Sequence, residues 1–441
     1  ETMFIFWNQF EEEEHNPNFW YVKGKEDLHA SLSMKPNMHQ AKNLILFLGE
    51  LKAPVSGIFN MKEMYKQRMF PLLSSFPFDP NKLVMNSMAS DTVYSSHTIC
   101  KYNGLGLVLY FPGKSVGIVS TEHVQHASLA ASYSHTPERG WYSDKELPSE
   151  AVTGGCKDIA YQLVHNTDIN VILGGGRQYM FPKETIDPEY STVTGSRQDK
   201  TSLVDVWLRS RNNAKYVWNK NDFDAVKEHN TDYLMGLFEP KDTRYELECD
   251  PSMDPSLTEL VEKAIKILCR NSKGFYLFVE DNGRIDHGHH AGLWNLTGEL
   301  DTLSVVTANH SHVFSFGGYS SSGNPVLAED GKSFTNALYG NGPGYQIVNV
   351  TRPDMNVTIS SSDEYLQQAA VPLDSETHGS EDVTIFVKGP MAHLFHGVQE
   401  QSYIPHAMAY AACLEPYTDC LLEDYGICTQ FSLVVLMLRT V

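Results

Sequence analysis

The sequence predicts an α/β layered domain, a largely buried sheet with helices against it, and three observations carry that prediction. The first is a set of apolar, β-branched-rich runs that are continuous rather than alternating. They are Asn43–Gly49 (NLILFLG), Ser115–Ser120 (SVGIVS), Ile169–Gly174 (INVILG), Gly274–Glu280 (GFYLFVE), Thr302–Ala308 (TLSVVTA) and Val383–Lys388 (VTIFVK). Runs of this kind suit strands covered on both faces. The second is a helix interleaved between two of them. Asp254 is placed to cap it, Pro255 suits the first helical position, and Leu257, Leu260, Val261, Ala264, Ile265 and Leu268 fall on one face. Strands alternating with helices read as a layered α/β domain. The third is the position of the polar side chains, directly behind the strands, where such folds carry their sites.

Taken in order, the first run is followed by Glu50, and the second is trailed by Ser128 and Arg139. The third runs into the glycines of ILGGGRQYM, which lack the spacing of a phosphate loop and read as a tight turn. Behind the fourth stands GRIDHGHH, residues 283–290, and behind the fifth TANHSH, with His310 and His312. His378 lies in ETHGSED, just before the sixth. There are no repeats, and Phe70–Leu109 shows no period that assigns an element.

A chain of 441 residues, 41% hydrophobic and 20% charged, is globular and long enough for one large or two modest domains with a sizeable core. Its formal charge of −20 argues against a nucleic acid or an anionic membrane surface as the main partner. Anionic substrates remain compatible, because a bound cation reverses the local field. The seven cysteines form no CxxC pair; Cys413 and Cys420 are spaced to close a short loop, and the odd count leaves a thiol over. That loop fits an oxidising compartment, as do the sequons at Asn295, Asn349 and Asn356. Near the N-terminus, MFIFW is too short for a secretory signal and is followed by Glu11–Glu14. The C-terminal FSLVVLMLRTV is too short to span a bilayer; it fits a shortened anchor signal and a disordered or packed tail equally well.

Asp286 and His290 are four apart, so one helical turn would bring both to the same face, in reach of one metal. A carboxylate and an imidazole suit zinc, with His378 as a third ligand, and His310 and His312 could serve a second zinc. Two neighbouring zinc ions can hold both the attacking and the leaving oxygen of a phosphoryl transfer. A single histidine after a strand is most often a hydrogen-bonded loop residue. Three separate histidine knots, each beside an apolar run, outweigh that reading. His287 and His289 read as neighbours of the site or surface groups, and Arg139 taken alone as a solvated charge.

With these motifs goes a longer set: AKNLILFLG, GKSVGIVSTEHVQHAS, RGWYSDKELP, GCKDIAYQL, YLMGLFEPKD, GFYLFVEDNGRIDHGHH, HSHVFSFGGY, LYGNGPGY, ETHGSEDVTIFVKGPMAHLFHGVQEQ and MAYAACLEPYTDC. Covering most of the chain in order, they resemble the vertebrate alkaline phosphatases, the intestinal and placental type above all. The resemblance implies a three-layer sandwich with a mostly parallel central sheet, a crown-like insertion at about 313–377, and a tail over 421–441 outside the core of a single domain. It implies Asp286, His290 and His378 as ligands of a first zinc, His310 as a ligand of a second, and His312 beside the site. Ser128 matches a magnesium ligand with His126 beside it, and Arg139 the guanidinium that holds the substrate phosphate, for which its donor fork is suited. Glu189, the Phe238 carbonyl, Glu239 and Asp254 match a calcium site of hard oxygen donors. Small phosphate monoesters as substrates, a homodimer, and a cell-surface or extracellular place with a lipid anchor are implied as well. In the mechanism so implied, a hydroxyl nucleophile attacks phosphorus and the phosphoenzyme is then hydrolysed.

Four departures from the family fall on the chemistry. The first strand of the family continues into GDGMG, whose aspartate bridges zinc and magnesium; here LGELKAPVSG puts Glu50 there, without those glycines. The nucleophile motif Asp-Ser-Ala is absent, and in MASDTVYSSHTIC its nearest echo is Asp91-Thr92, with Thr92 as candidate nucleophile. The aspartate of the family's TADH is Asn309, a poorer zinc donor in a second-zinc position, and it creates a sequon where a glycan is not expected. A helical block after HGHH is missing, and one residue inserted in VEDNGR leaves both Glu280 and Asp281 as candidates for the magnesium carboxylate. By the resemblance, Cys156 pairs with a cysteine of an absent block, whereas Cys413 and Cys420 keep each other. The expectation is therefore a zinc-dependent phosphomonoesterase with impaired activity. The alternative is a non-catalytic relative that keeps the fold, the calcium site and part of the zinc site.

Overall fold

The computed structural model describes residues 16–33, 35–49, 72–74, 113–136, 138–244, 249–281, 301–317, 326–360, 362, 365–379 and 381–418. Eight strands form the large sheet: β1 (Asn43–Gly49), β2 (Ser115–His123), β3 (Val171–Gly175), β4 (Ala214–Val217), β5 (Tyr233–Leu237), β6 (Phe275–Asp281), β7 (Thr302–Ala308) and β8 (Phe386–Lys388). Their order is β8-β7-β1-β6-β2-β3-β5-β4, and every pair is parallel except β7 with β8.

The apolar runs are continuous because both faces of this sheet are covered. Alternate residues of β1 serve different cores. Leu44, Leu46 and Leu48 pack with the helices Ile159–His165, Leu203–Ser210 and Tyr403–Ala411. Ile45 and Phe47 pack on the opposite face with the helix Leu257–Leu268. Each large apolar side chain fully buried this way contributes about 1.5–3 kcal/mol, so the three layers hold together through the β1 neighbourhood. The Leu257–Leu268 helix lies so close to β2 that a Cβ on Gly117 would stand 2.7 Å from Leu268 Cδ1.

The structure corrects several expectations. The cap of Leu257–Leu268 is Ser256, not Asp254. The Ser256 hydroxyl accepts from the Glu259 N–H at 3.3 Å, and the Glu259 carboxylate accepts from the Ser256 N–H at 2.9 Å. This reciprocal box satisfies two helix-end donors with one short motif, and Pro255 lies before the helix. The run Val383–Lys388 divides: Val383–Thr384 pairs with Leu72–Ser74, and only Phe386–Lys388 joins the large sheet. β2 runs three residues past Ser120 and carries Glu122 and His123 into the strand, with an irregularity against β3 before His123. β4 and β5 were not anticipated. Between the fifth and sixth runs, Phe314–Phe316 pairs with Ala337–Tyr339 and Val326–Leu327 with Ser333–Phe334; neither pair joins the large sheet. Among the described residues, no helix is long and apolar enough to cross a membrane.

Candidate active site

The carboxyl ends of β7, β1, β6 and β2 stand side by side. Gly49 is opposite both Ala308 and Asp281, and Glu280 is opposite Ser120. The described residues that follow β7 and β2 therefore leave the sheet from this one edge. Glu50, Thr92, Asp286 and His290 lie outside the described residues, and so does Cys420 with its pairing to Cys413. Asp281 closes β6.

Behind β7, Asn309, His310, Ser311 and His312 are all buried. His310 Nδ1 lies 2.9 Å from the Ser311 carbonyl. A carbonyl only accepts, so the ring proton is on Nδ1 and the lone pair on Nε2. Burial, then the neighbouring His378 and His312, hold the His310 ring well below its ordinary pKa, so it stays neutral, the state a metal ligand needs. The His378 ring stacks on it with centroids 3.6 Å apart, and His312 is 5.2 Å from His310 and 5.6 Å from His378. The structure thus brings together three histidines separated by up to 68 positions in the chain, from His310 to His378. Backbone pairing between His312 and His378 joins the two segments. The Gly379 N–H donates to the Ser311 carbonyl at 2.7 Å, and the Ser311 hydroxyl to the Glu381 carboxylate. Glu376 Oε1 lies 3.3 Å from His312 Nδ1. The Asn309 carbonyl accepts from Gln401 Nε2 at 2.6 Å, which holds its backbone in place.

Behind β2, His126 stands immediately before the short helix Ala127–Ala131, which contains Ser128. Arg139 Nη2 is 2.8 Å from His126 Nε2. A guanidinium only donates, so Nε2 accepts and the ring proton faces Glu122 from Nδ1, where the two side chains are in contact. Burial, then Arg139, hold the His126 ring down to about pKa 3. Glu280, buried at the end of β6, accepts from the Ser120 hydroxyl at 3.2 Å. Ser128 is buried, and its hydroxyl has no hydrogen-bond partner among the described residues. Glu122 and His123 are the residues that sequence reasoning passed over. His123 pairs through its backbone N–H at 2.9 Å, and through its ring, with Asp242. Burial raises the Asp242 carboxyl, but the bonds from His123 outweigh it and hold that group to about pKa 2.

A second group forms away from these strand ends. Arg177 donates to Glu189 at 2.7 Å and to the Phe238 carbonyl, while Glu239 accepts from the Tyr190 hydroxyl at 2.9 Å and from Arg244 at 3.1 Å. Asp254 is buried and its Oδ1 has no partner among the described residues. Burial, then Glu239 and Glu189, push its carboxyl up to about pKa 6. Carboxylates close enough to repel one another, a backbone carbonyl and an orphaned buried oxygen form the kind of donor set a hard cation takes.

A mostly parallel sheet between helices, with histidines and carboxylates gathered behind its central strands, defines a three-layer α/β protein with a polar, titratable edge. Solved structures of two bacterial alkaline phosphatases have this fold. The Antarctic bacterium TAB5 enzyme is 17% identical with a TM-score of 0.57, covering 85% of this chain and 98% of its own. The cold-active enzyme of Shewanella sp. is 19% identical with a TM-score of 0.58, covering 84% and 99%. The chain belongs to the alkaline phosphatase family, whose family model matches residues 110–414. It is 44% identical to the alkaline phosphatase of Gadus morhua over 92% of this chain and 99% of that protein. It is 42% identical to the tissue-nonspecific isozyme of Felis catus over 91% and 90%. The alignment with the Gadus morhua protein runs over 473 positions, more than the 441 residues here, so this chain is gapped against its relative.

Proposed function

We propose that this chain is a zinc-dependent phosphomonoesterase with reduced activity, weakened at its second zinc site and at its nucleophile. The observation that carries the reading is the meeting of His310, His312 and His378, with His310 neutral and its lone pair on Nε2. This donor set fits zinc. His378 would join Asp286 and His290 at one ion, and His310 would hold the other with Asn309 and Glu50 around it. Ser128, with its orphaned hydroxyl, and Glu280 or Asp281 fit magnesium. Glu189, the Phe238 carbonyl, Glu239 and Asp254 fit calcium. When bound, zinc supplies the positive charge that both the attacking and the leaving oxygen need.

The chain's own residues do the rest. Arg139 offers a planar fork of donors to a phosphate. Its bond to His126 Nε2 holds the guanidinium at the edge of the sheet until a substrate competes for it. The Ser311–Glu381 and Gly379 bonds keep His310 and His378 from drifting apart, and the Glu376 carboxylate lies beside the His312 ring. Thr92 is the candidate that attacks phosphorus, forming a phosphothreonine and expelling the alcohol; water then cleaves the phosphothreonine. Asn309 favours the second reading, a relative without catalysis, because a neutral amide replaces an anionic ligand in a buried position. Exposed Asn349 and Asn356 suit glycans, whereas Asn309 is too buried for one. A cell-surface homodimer with a lipid anchor completes the proposal. The test is hydrolysis of a chromogenic aryl phosphate at alkaline pH with zinc and magnesium, beside Thr92→Ala. Loss of the rate in Thr92→Ala identifies the nucleophile; an unchanged rate removes Thr92 from the mechanism.

A further inference from the structure

Arg139 lies in a turn, on neither a strand nor a helix, so its guanidinium owes its place to the side chains that meet it. One is His126, whose Nε2 is 2.8 Å from Arg139 Nη2. The other is Tyr142: burial raises its phenol, and the Arg139 guanidinium beside the hydroxyl works against that. Both of these rings rest on a third, that of His123 at the end of β2. The His123 ring stands edge-to-face against Tyr142, with centroids 4.6 Å apart at 81°, and against His126 at 5.1 Å and 70°. His123 is 5% exposed, so this ring is packed and not solvated. What fixes it is Asp242, 119 positions further along, in the segment after β5. Asp242 Oδ1 accepts from the His123 backbone N–H at 2.9 Å and also from the ring through Nδ1. His123 Nε2 has no partner among the described residues, so the Asp242 carboxylate is what sets the rotation of the ring. The anchor is held in turn. The Thr243 N–H and hydroxyl both donate to the Thr121 carbonyl, at 3.0 and 2.5 Å, so the Asp242 segment is fastened to β2 at Thr121 and again at His123.

We propose that His123 and Asp242 are a positioning pair for Arg139: Asp242 locks the His123 ring, and that ring holds His126 and Tyr142 in the places from which they fix the guanidinium. Neither member of the pair needs to touch a substrate. Its value for catalysis rests on Arg139 as the group that binds phosphate. A His123 ring released from Asp242 can turn, and both supports of the guanidinium then lose a packing face. A misplacement of about 1 Å in a group that orients a substrate can cost about a hundredfold in rate. The Asp242 side chain is 54% exposed, so truncating it opens no cavity in the core and leaves the two hydrophobic clusters as they are.

The test reads Arg139 twice in the full chain with zinc and magnesium, first without ligand and then with inorganic phosphate. The first reading is the rate at which phenylglyoxal modifies Arg139, followed by peptide mass spectrometry. His123→Phe, which keeps a ring but not the bond, and Asp242→Ala are each expected to raise that rate at least about threefold. Asp242→Asn, whose amide oxygen still accepts from the ring, is expected to stay within about twofold of the unaltered chain. Arg197, 1% exposed, should stay unreactive in every variant, which separates a freed Arg139 from a loosened fold. The second reading is calorimetric titration with phosphate. His123→Phe is expected to weaken binding about tenfold, yet by less than about twofold once Arg139→Ala is already present, because a residue that acts through another has nothing left to act on. A modification rate unchanged in both His123→Phe and Asp242→Ala overturns the proposal, and so do phosphate losses that add in the double variant. Faster modification in a chain that binds no phosphate upholds the positioning pair and removes the phosphate role of Arg139 instead.

Discussion

Replacing Arg197 by methionine should destabilise the fold by an amount that grows with pH. The Arg197 guanidinium is 1% exposed and meets the 3%-exposed Asp158 carboxylate through two bonds, at 3.0 and 3.2 Å. It also holds Asp199 at 2.6 Å. Asp158 in turn caps the helix Ile159–His165, accepting from the Tyr161 N–H at 2.8 Å. Removing one member of such a buried pair leaves an uncompensated charge and costs about 3–5 kcal/mol. With about 2.1 cal/mol/K of unfolding entropy per residue, 441 residues give about 0.9 kcal/mol/K, so Tm should fall by about 3–5 °C. Burial raises the Asp158 carboxyl above its ordinary value even with Arg197 present. A carboxyl whose folded pKa exceeds its unfolded one contributes stability below the unfolded pKa and loses it as pH rises through the folded pKa. Without Arg197 that folded pKa rises further, so the deficit should be small near pH 5 and full near pH 8. Thermal unfolding by circular dichroism at both pH values measures it, and Asp158→Asn added to Arg197→Met should recover half the loss or more. A Tm unchanged by Arg197→Met, or a loss equal at both pH values, would refute the argument.

Three further outcomes are expected. Calcium at about a hundred times its dissociation constant should stabilise the chain by about 2.7 kcal/mol, a Tm rise of about 3 °C, and Asp254→Asn should abolish the rise. Arg139→Ala should weaken binding of inorganic phosphate about 10- to 100-fold in a calorimetric titration, the worth of charge-assisted hydrogen bonds of about 1.5–3 kcal/mol. Asn309→Asp, which restores an anionic donor behind β7, should add one tightly held zinc per chain by elemental analysis and raise the hydrolysis rate at least about tenfold.

The centre of the sheet was legible because β1, β6 and β7 are buried on both faces, which forces unbroken apolar runs. β4 was not: it is a four-residue edge strand with only Val217 buried, so it leaves no such run. The Val383–Lys388 run read as one strand because Val383, Ile385, Phe386 and Val387 are apolar and nothing in it marks a break. It divides because Val383–Thr384 pairs with Leu72–Ser74, a partner some 310 positions away that no local pattern announces. Ser256-Leu-Thr-Glu259 carried a capping-box signature that was in plain view. Asp254 is also a cap-type residue two positions earlier, but its carboxylate lies near Glu239 and Glu189. At the site, the histidine knots announced themselves by composition. Glu122 did not, because its importance depends on the register of β2 against β6, which brings it to Glu280 across 158 positions of chain.

The rate of aryl phosphate hydrolysis at alkaline pH, with zinc and magnesium and then after chelation, tests the central claim most directly when the Gadus morhua relative is measured beside it. The account predicts hydrolysis that is abolished by chelator, restored by zinc, and at least about tenfold slower than the relative's. A rate equal to the relative's would contradict the weakened second zinc site and nucleophile. No hydrolysis above the chelated control would contradict the phosphatase itself.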